Sequence, residues 1–171
     1  MTNSVLKRKK HIIFFIISII ISLAIMTLIF CFSAQDSSNS NNTSSSFSEA
    51  LIKFLSPFTP KFIISFIKIY IRKIAHFVAY FSLGVTLSLS MKEWLILYRH
   101  DAQHKFHYYI IPFAIAFFYA CSDEFHQYFV PGRSGKFTDI LLDSAGSALG
   151  VLTTWAIIAF GCYKQRKSWT C

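Results

Sequence analysis

The sequence lacks the cysteine and histidine patterns that stabilise or activate many small soluble domains. Its four cysteines form no CxxC pair and do not have the spacing of zinc ligands. They are Cys31, Cys121, Cys162 and Cys171. No HExxH sequence is present, so the common zinc-protease motif is missing as well. These absences predict a chain with no disulfide framework, no metal and no other cofactor, and they leave as the alternative a divalent metal held by histidine and carboxylates without a defined ligand spacing.

Charged residues are also scarce. They make up 15% of the chain, whereas 54% is hydrophobic and 19 residues are phenylalanine, which is beyond the range of an ordinary soluble domain. The net charge of +9 would suit a nucleic-acid partner. The basic residues instead lie at the ends of apolar runs, and no platform of aromatic and basic residues lies outside them. We therefore expect a protein dissolved in membrane lipid, with no nucleic-acid partner.

Four apolar runs are expected to cross the membrane as helices. They lie at about 12–32, 74–90, 108–129 and 137–163. The first follows the basic run Lys7–Lys10, and its uncharged stretch Ile12–Phe32 matches the ~20 residues that a spanning helix needs. A cleaved signal peptide is the alternative, but its apolar region usually has only ~7 to 15 residues.

The segments between the first two spans are polar or amphipathic. Residues 33–48 are rich in Ser and Asn, which predicts a flexible loop outside the membrane. In residues 60–72, polar side chains recur every three or four positions, which predicts an amphipathic helix lying in the membrane interface. A fifth, tilted span is the alternative there. The expected fold is a single all-α membrane domain over 1–171, with four transmembrane helices and one interfacial helix.

The distribution of basic residues predicts the orientation. With four spans, both termini and the 91–107 loop lie on one side, which carries ten of the 17 Lys and Arg residues. Because positive residues near span ends favour the cytoplasm, both termini are expected there. The sequence thus predicts a multi-pass protein of a bacterial cell membrane.

A polar stretch at 122–143 (SDEFHQYFVPGRSGKFTDILLD) interrupts the apolar pattern. Ionisable groups near lipid are costly unless they are paired, hydrated or facing a protein interior. Alternating spans place this stretch at the same membrane face as the start of span two, which carries Arg72, Lys73 and His76. The predicted orientation makes that face extracytoplasmic.

Helical spacing groups these side chains further. Arg72, His76 and Tyr80 are four residues apart and share one stripe of a helix. Asp139 and Asp143 have the same spacing. Since two carboxylates so close disfavour double ionisation, they are expected to share a cation, or one of them to hold a proton.

Two motifs resemble the VanZ-like family of small bacterial membrane proteins. They are RKIAHFVAYFSLG at 72–84 and SDEFHQYFVPGRSGKFTDILLDSAGSALG at 122–150. The resemblance extends in layout over roughly 30–158, and the family is named for a protein associated with teicoplanin resistance. It implies a polytopic envelope protein but no particular reaction. The matching signature positions would be Arg72, Lys73, His76, Phe77, Tyr80, Asp123, Glu124, His126, Gln127, Arg133, Asp139, Gly146 and Gly150.

One interpretation of the polar cluster is a binding pocket. Paired arginine and lysine side chains at headgroup depth suit an anionic cell-envelope component, such as an anionic lipid or a lipid-linked cell-wall precursor. The resemblance adds a contribution to teicoplanin resistance. The expected ligand-binding residues are Arg72, Lys73, Tyr80, Gln127, Arg133, Asp139 and Asp143.

Two other interpretations remain open. The chain could be a membrane-embedded hydrolase or transferase of a lipid or lipid-linked precursor, with histidine as base and carboxylates to orient it. The catalytic candidates are His76, Asp123, Glu124 and His126. Alternatively, the charges only join helix ends as structural pairs. Finally, the small residues around Gly146 and Gly150 suggest self-association into a homo-oligomer.

Overall fold

The described part of the chain is helical. The computed structural model describes residues 2–35, 61–98 and 107–168, with side-chain environments for 4–35, 70–98 and 107–161. Its four helices are α1 Thr2–Ser33, α2 Lys61–Tyr98, α3 His107–Gln127 and α4 Phe137–Ser168. No strand occurs in these ranges. The expectation of an all-α fold is confirmed, whereas most of the predicted flexible loop at 33–48 lies outside the described residues.

Three of the helices are long and apolar enough to cross a membrane. Their candidate spans are Ser4–Ser33, Tyr70–Tyr98 and Phe137–Gly161. The 21-residue helix α3 is not among them, because its apolar part gives way to Asp123 and Glu124 before it ends. Among the described residues, the structure therefore shows four helices, three of which have the length and composition to span a membrane.

Helix α2 corrects the predicted boundary between an interfacial helix and span two. It runs without interruption from Lys61 to Tyr98, so the predicted helix at 60–72 is the first part of a longer one. The sequence between these ends contains no proline, and proline is the residue that most reliably stops a helix. Amphipathic spacing described the side chains of this segment but could not show where the helix ends.

Contacts between α1 and α2 show that these helices are antiparallel. At one end, His11 Nδ1 lies 2.6 Å from Glu93 Oε2. Near the middle, the Ser22 hydroxyl donates to Thr86 Oγ1 at 2.9 Å. As the α1 residue number rises, the α2 number falls, as antiparallel packing requires.

Helices α3 and α4 are antiparallel as well. The Trp155 indole N–H donates to the Tyr108 carbonyl at 2.8 Å, and the Lys136 backbone N–H donates to Glu124 Oε2 at 2.9 Å. The first contact joins the start of α3 to the later part of α4, and the second joins the end of α3 to the start of α4. At the helical rise, Tyr108 and Glu124 lie about 24 Å apart along α3. Helix α3 therefore traverses most of the bundle.

Helices α2 and α4 cross in close contact at glycines. A Cβ placed on Gly146 would lie 2.6 Å from the Phe77 carbonyl oxygen, and one on Gly150 would overlap the Phe81 carbonyl oxygen. Gly84 of α2 meets the α4 backbone in the same way. Small residues allow this approach, which favours packing in lipid. The glycine face that was expected to serve self-association is covered by α2 of the same chain.

The interior between the helices is narrow, and much of the exterior is apolar. Tyr80, Leu83 and Ala116 are fully buried in the central cluster. In contrast, Phe118 is 69% exposed and Ile157 is 73% exposed. Large apolar side chains at the surface are unfavourable in water but match lipid. The bundle thus has a thin core and an exterior that suits a bilayer.

Candidate functional site

A cavity of about 330 Å³ opens where α1 and α3 finish, where α4 begins and where the apolar segment Tyr70–Tyr98 of α2 begins. Residues of α2, of the end of α3, of the following turn and of the start of α4 form its walls. The predicted site residues that line it are Arg72, Lys73, His76, Glu124, Gln127, Arg133, Asp139 and Asp143. The fold thus brings two parts of the sequence about 50 residues apart to one cavity.

The turn between α3 and α4 shapes one wall of the cavity. Gly132 has φ 75°, a left-handed conformation that residues with a side chain rarely adopt. The Arg133 backbone N–H donates to the Val130 carbonyl at 3.1 Å and closes the turn. A Cβ on Gly135 would lie only 2.5 Å from the Glu124 carbonyl oxygen. Both glycines are therefore needed for the chain to fold back against the end of α3.

Glu124 joins the turn to the end of α3. Its side chain is buried, with 5% of the residue exposed. Oε2 accepts the Lys136 backbone N–H at 2.9 Å, and Oε1 accepts a 3.3 Å hydrogen bond from the Gln127 amide. The carboxylate thereby binds a backbone N–H directly before α4, where helices favour a negative charge. These bonds give Glu124 an evident structural role at the cavity wall.

The rim of the cavity carries an ion pair and a hydrogen bond from an arginine side chain. Lys73 Nζ lies 2.8 Å from Asp139 Oδ1, and these side chains are 49% and 28% exposed. Arg133 donates a hydrogen bond from Nη2 to the Phe32 carbonyl at 3.1 Å. This carbonyl belongs to the last turn of α1, where carbonyl groups have no hydrogen-bond donor within the helix. Arg72 is exposed and forms no hydrogen bond or ion pair with any residue in the described ranges.

Below the rim, an imidazole and two carboxylates from three helices come together. His76 of α2, Asp123 of α3 and Asp143 of α4 each offer a ligand atom, and these atoms lie within 4.8 Å of one another. The His76 Nδ1 to Asp143 Oδ2 distance is 3.6 Å, slightly beyond a hydrogen bond. Asp123 Oδ2 accepts the Gln127 amide at 3.1 Å. Asp123 and Asp143 are 3% and 1% exposed.

Comparison with known families identifies the family of this chain. A family model described as VanZ/LLP1 matches residues 15–159. The chain belongs to the VanZ/LLP1 family. No curated protein and no solved structure matches it. The resemblance inferred from the two motifs is thereby confirmed, and the VanZ/LLP1 match contains every residue that lines the cavity.

Three predicted site residues of this VanZ/LLP1 chain do not line the cavity. The His126 ring stacks on Phe30 of α1, with ring centroids 4.8 Å apart and planes inclined by 27°. Tyr80 is fully buried, with its ring 6.2 Å from that of Tyr119. Asp123 is not in the lining either, but it contacts the cavity residue Gln127. Of the two candidate histidines, the structure therefore brings only His76 to the cavity.

Some cavity residues were absent from the predicted set. Gly132, Ser134, Lys136 and Leu142 also line the cavity. The glycine and lysine positions carry a recognisable signal, because they stand in a polar turn between two apolar runs. Leu142 carries none, since an apolar residue inside an apolar helix does not reveal what it faces.

Proposed function

We propose that this VanZ/LLP1-family membrane protein binds an anionic group of a cell-envelope component in the cavity at the end of its bundle. The observation that carries the proposal is Arg72, a cavity-lining guanidinium without a partner among the described residues. Lys73, Arg133 and Lys136 line the same cavity. A guanidinium presents a planar fork that matches the oxygens of phosphate or carboxylate, and this gives both affinity and orientation.

The depth of the cavity favours a ligand attached to a lipid. Arg72 and His76 fall in the first turns of the apolar segment Tyr70–Tyr98, close to where a spanning helix meets the headgroups. Basic side chains at that depth attract anionic lipid headgroups. The shared ligand chemistry is therefore a phosphate or pyrophosphate on a lipid, and phospholipids and lipid-linked cell-wall precursors both carry it.

The proposal includes a topology of four spans with the cavity on the extracytoplasmic side. Its support is the passage of α3 from Trp155 at one end of the bundle to Lys136 at the other. Further support is the excess of basic residues on the side of the termini. An extracytoplasmic cavity would give access to cell-wall precursors, and binding there is how we propose that the protein contributes to glycopeptide resistance.

Binding can be tested with purified protein in detergent. Anionic phospholipid, lipid-linked precursor, zwitterionic phospholipid and inorganic pyrophosphate are titrated separately, and affinity is measured by native mass spectrometry. An anionic lipid is expected to bind, and Arg72→Gln is expected to weaken it about tenfold, since a charge-assisted hydrogen bond is lost. The two lipid titrations show which source of phosphate is preferred.

The control is Arg8→Gln, the same substitution on α1 at the opposite end of the bundle. It should leave affinity unchanged. Equal binding of zwitterionic and anionic lipid, or equal losses in the two variants, would refute anion binding in this cavity.

One observation favours a second function, a membrane-embedded hydrolase or transferase acting on the same ligands. His76 lines the cavity and stands 3.6 Å from the buried Asp143. A histidine oriented by a carboxylate is a common general base, and such pairs often shorten when substrate binds. The purely structural alternative is favoured by the Lys73–Asp139 pair and by the bonds of Glu124, which join helix ends.

A further inference from the structure

We infer that His76, Asp123 and Asp143 form a binding site for a divalent transition-metal ion beneath the cavity. Each residue comes from a different helix, and their ligand atoms lie within 4.8 Å of one another. Two ligand atoms that each lie about 2.0–2.2 Å from one metal ion are at most about 4.4 Å apart, so the most widely spaced of these atoms would have to move toward the others to bind it.

Three of the four carboxylate oxygens in this cluster lack a hydrogen bond to a described residue. Both oxygens of Asp143 and Oδ1 of Asp123 are buried without a hydrogen-bond partner among the described residues. Asp143 is 1% exposed and Asp123 is 3% exposed, so bulk water does not compensate them. Buried carboxylates are normally hydrogen-bonded, paired with a cation or bound to a metal. These oxygens therefore indicate a missing partner.

The nearby basic side chains do not supply that partner. Lys73 is paired with Asp139 at the rim, and Arg133 donates to the Phe32 carbonyl. Within the described ranges, no lysine or arginine forms an ion pair with either buried aspartate. The facing groups are the His76 imidazole, the Gln127 amide and the fully buried Ser33 hydroxyl of α1. The amide already donates to Asp123 Oδ2. A cation bound from solution would supply a partner for Asp123 Oδ1 and for the two oxygens of Asp143.

The set of donors indicates the class of ion. One imidazole nitrogen and two carboxylate oxygens suit Zn²⁺, Mn²⁺ or Fe²⁺, whereas Mg²⁺ and Ca²⁺ prefer oxygen alone. Three protein ligands leave a coordination position open, as in metal sites that also take up a small ligand. Because His76 and Asp143 line the cavity, an ion between them is accessible from it.

The helix crossing holds two of the three ligands in place. Gly146 lies against the backbone of Phe77, which is the residue after His76. Gly146 itself is three residues after Asp143, which is less than one helical turn. Tyr80 follows one turn after His76, and its fully buried hydroxyl has no hydrogen-bond partner among the described residues. A water bound to the ion would offer this hydroxyl a partner. The glycine contact makes the site rigid before an ion arrives, which favours affinity.

This inference does not depend on the proposed anion binding. The test uses the full chain in detergent, stripped with a chelator and titrated with Zn²⁺ alone against a chromogenic competitor. One Zn²⁺ per chain is expected, and it should raise the melting temperature. Asp143→Asn should weaken Zn²⁺ binding at least about tenfold. Loss of a residue that only orients a metal ligand already lowers metal affinity by about that factor, and loss of a ligand itself should lower it at least as much. Arg72→Gln, which tests the anion site, should keep the Zn²⁺ affinity.

The matched control is Asp139→Asn, the same change one turn earlier on α4. Asp139 is paired with Lys73, so the Zn²⁺ affinity should not change. Without metal, Asp143→Asn should melt no lower than the wild type, because a buried, unpartnered charge is removed. This second measurement separates a lost ligand from a misfolded variant. Absence of Zn²⁺ binding by the wild type, or equal losses in the two variants, would overturn the site.

Discussion

His76 and His126 illustrate how two similar residues acquire different surroundings. His126 follows an apolar segment and has Asp123 and Glu124 close to it in sequence, whereas His76 stands near the start of an apolar segment, after Arg72 and Lys73. In the fold, His76 lies at the cavity beside Asp143, whereas His126 stacks on Phe30. The sequence identified both histidines as candidate general bases, but it could not show that α1 would pack against His126 and leave His76 at the cavity.

This difference gives a test of the enzymatic alternative. Purified protein is incubated with labelled lipid-linked precursor, and products are separated by thin-layer chromatography. If the chain is a hydrolase or transferase, His76→Gln should reduce product formation by about 10²-fold or more, the typical contribution of a general base. His126→Gln should retain most of it, because that ring lies outside the cavity. A product that requires His126 but not His76 would contradict the assignment, and no product from the wild type would leave binding as the function.

The two aspartates of α4 show the same limit. Their spacing of four residues predicted a shared cation or a shared proton. The structure separates them, since Asp139 pairs with Lys73 at the rim and Asp143 faces His76 and Asp123 in the interior. Residues four apart lie on one side of a helix, but they are a full turn apart along it and meet different neighbours.

At the scale of helices, the crossing of α2 and α4 determines the geometry of the site. Glycine contacts at Gly84, Gly146 and Gly150 bring the two backbones together. Gly161, farther along α4, has no atom within 4 Å of an added Cβ. The same helix therefore provides both a tightly packed glycine and an open one.

We expect Gly150→Ala to lower the free energy of unfolding by about 1–3 kcal/mol, since its Cβ meets the Phe81 carbonyl and the helices must separate. Unfolding can be followed in mixed detergent by tryptophan fluorescence, because the Trp155 indole is bonded to the Tyr108 carbonyl between α4 and α3. Gly161→Ala is the control and should be neutral or stabilise by up to ~1 kcal/mol, through helix propensity. Equal effects of the two substitutions would show that the crossing is loose.

For the molecule as a whole, the decisive property is whether α3 crosses the membrane. Hydropathy identifies three candidate spans, and α3 is not one of them. Contacts at both ends of α3 nevertheless show that it extends along most of the bundle. In α2, Lys73 and Glu93 lie about 30 Å apart at the helical rise, which is the thickness of a hydrocarbon core. The cavity and the His11–Glu93 contact lie at opposite ends of this bundle.

Single cysteines can test this topology in a variant whose four native cysteines are replaced by serine. Ser134→Cys, in the turn after α3, should react with an impermeant maleimide on intact cells, and Tyr98→Cys, at the end of α2, only after permeabilisation. Both positions are exposed, so both should react once the membrane is open. Labelling of both on intact cells would show that α3 does not cross, and the reverse pattern would place the cavity in the cytoplasm.

The sequence alone determined the membrane environment, the helical class, the family and the polar character of one bundle end. These properties follow from local composition, periodicity and motif, which require no knowledge of neighbours. The continuity of α2, the division of roles between His76 and His126, and the meeting of His76, Asp123 and Asp143 were decided by the tertiary structure. The approach of His76 to Asp143 follows from the close contact of α2 and α4 at glycines. Because the three buried groups come from three separate helices, no spacing within one segment could have predicted that they meet.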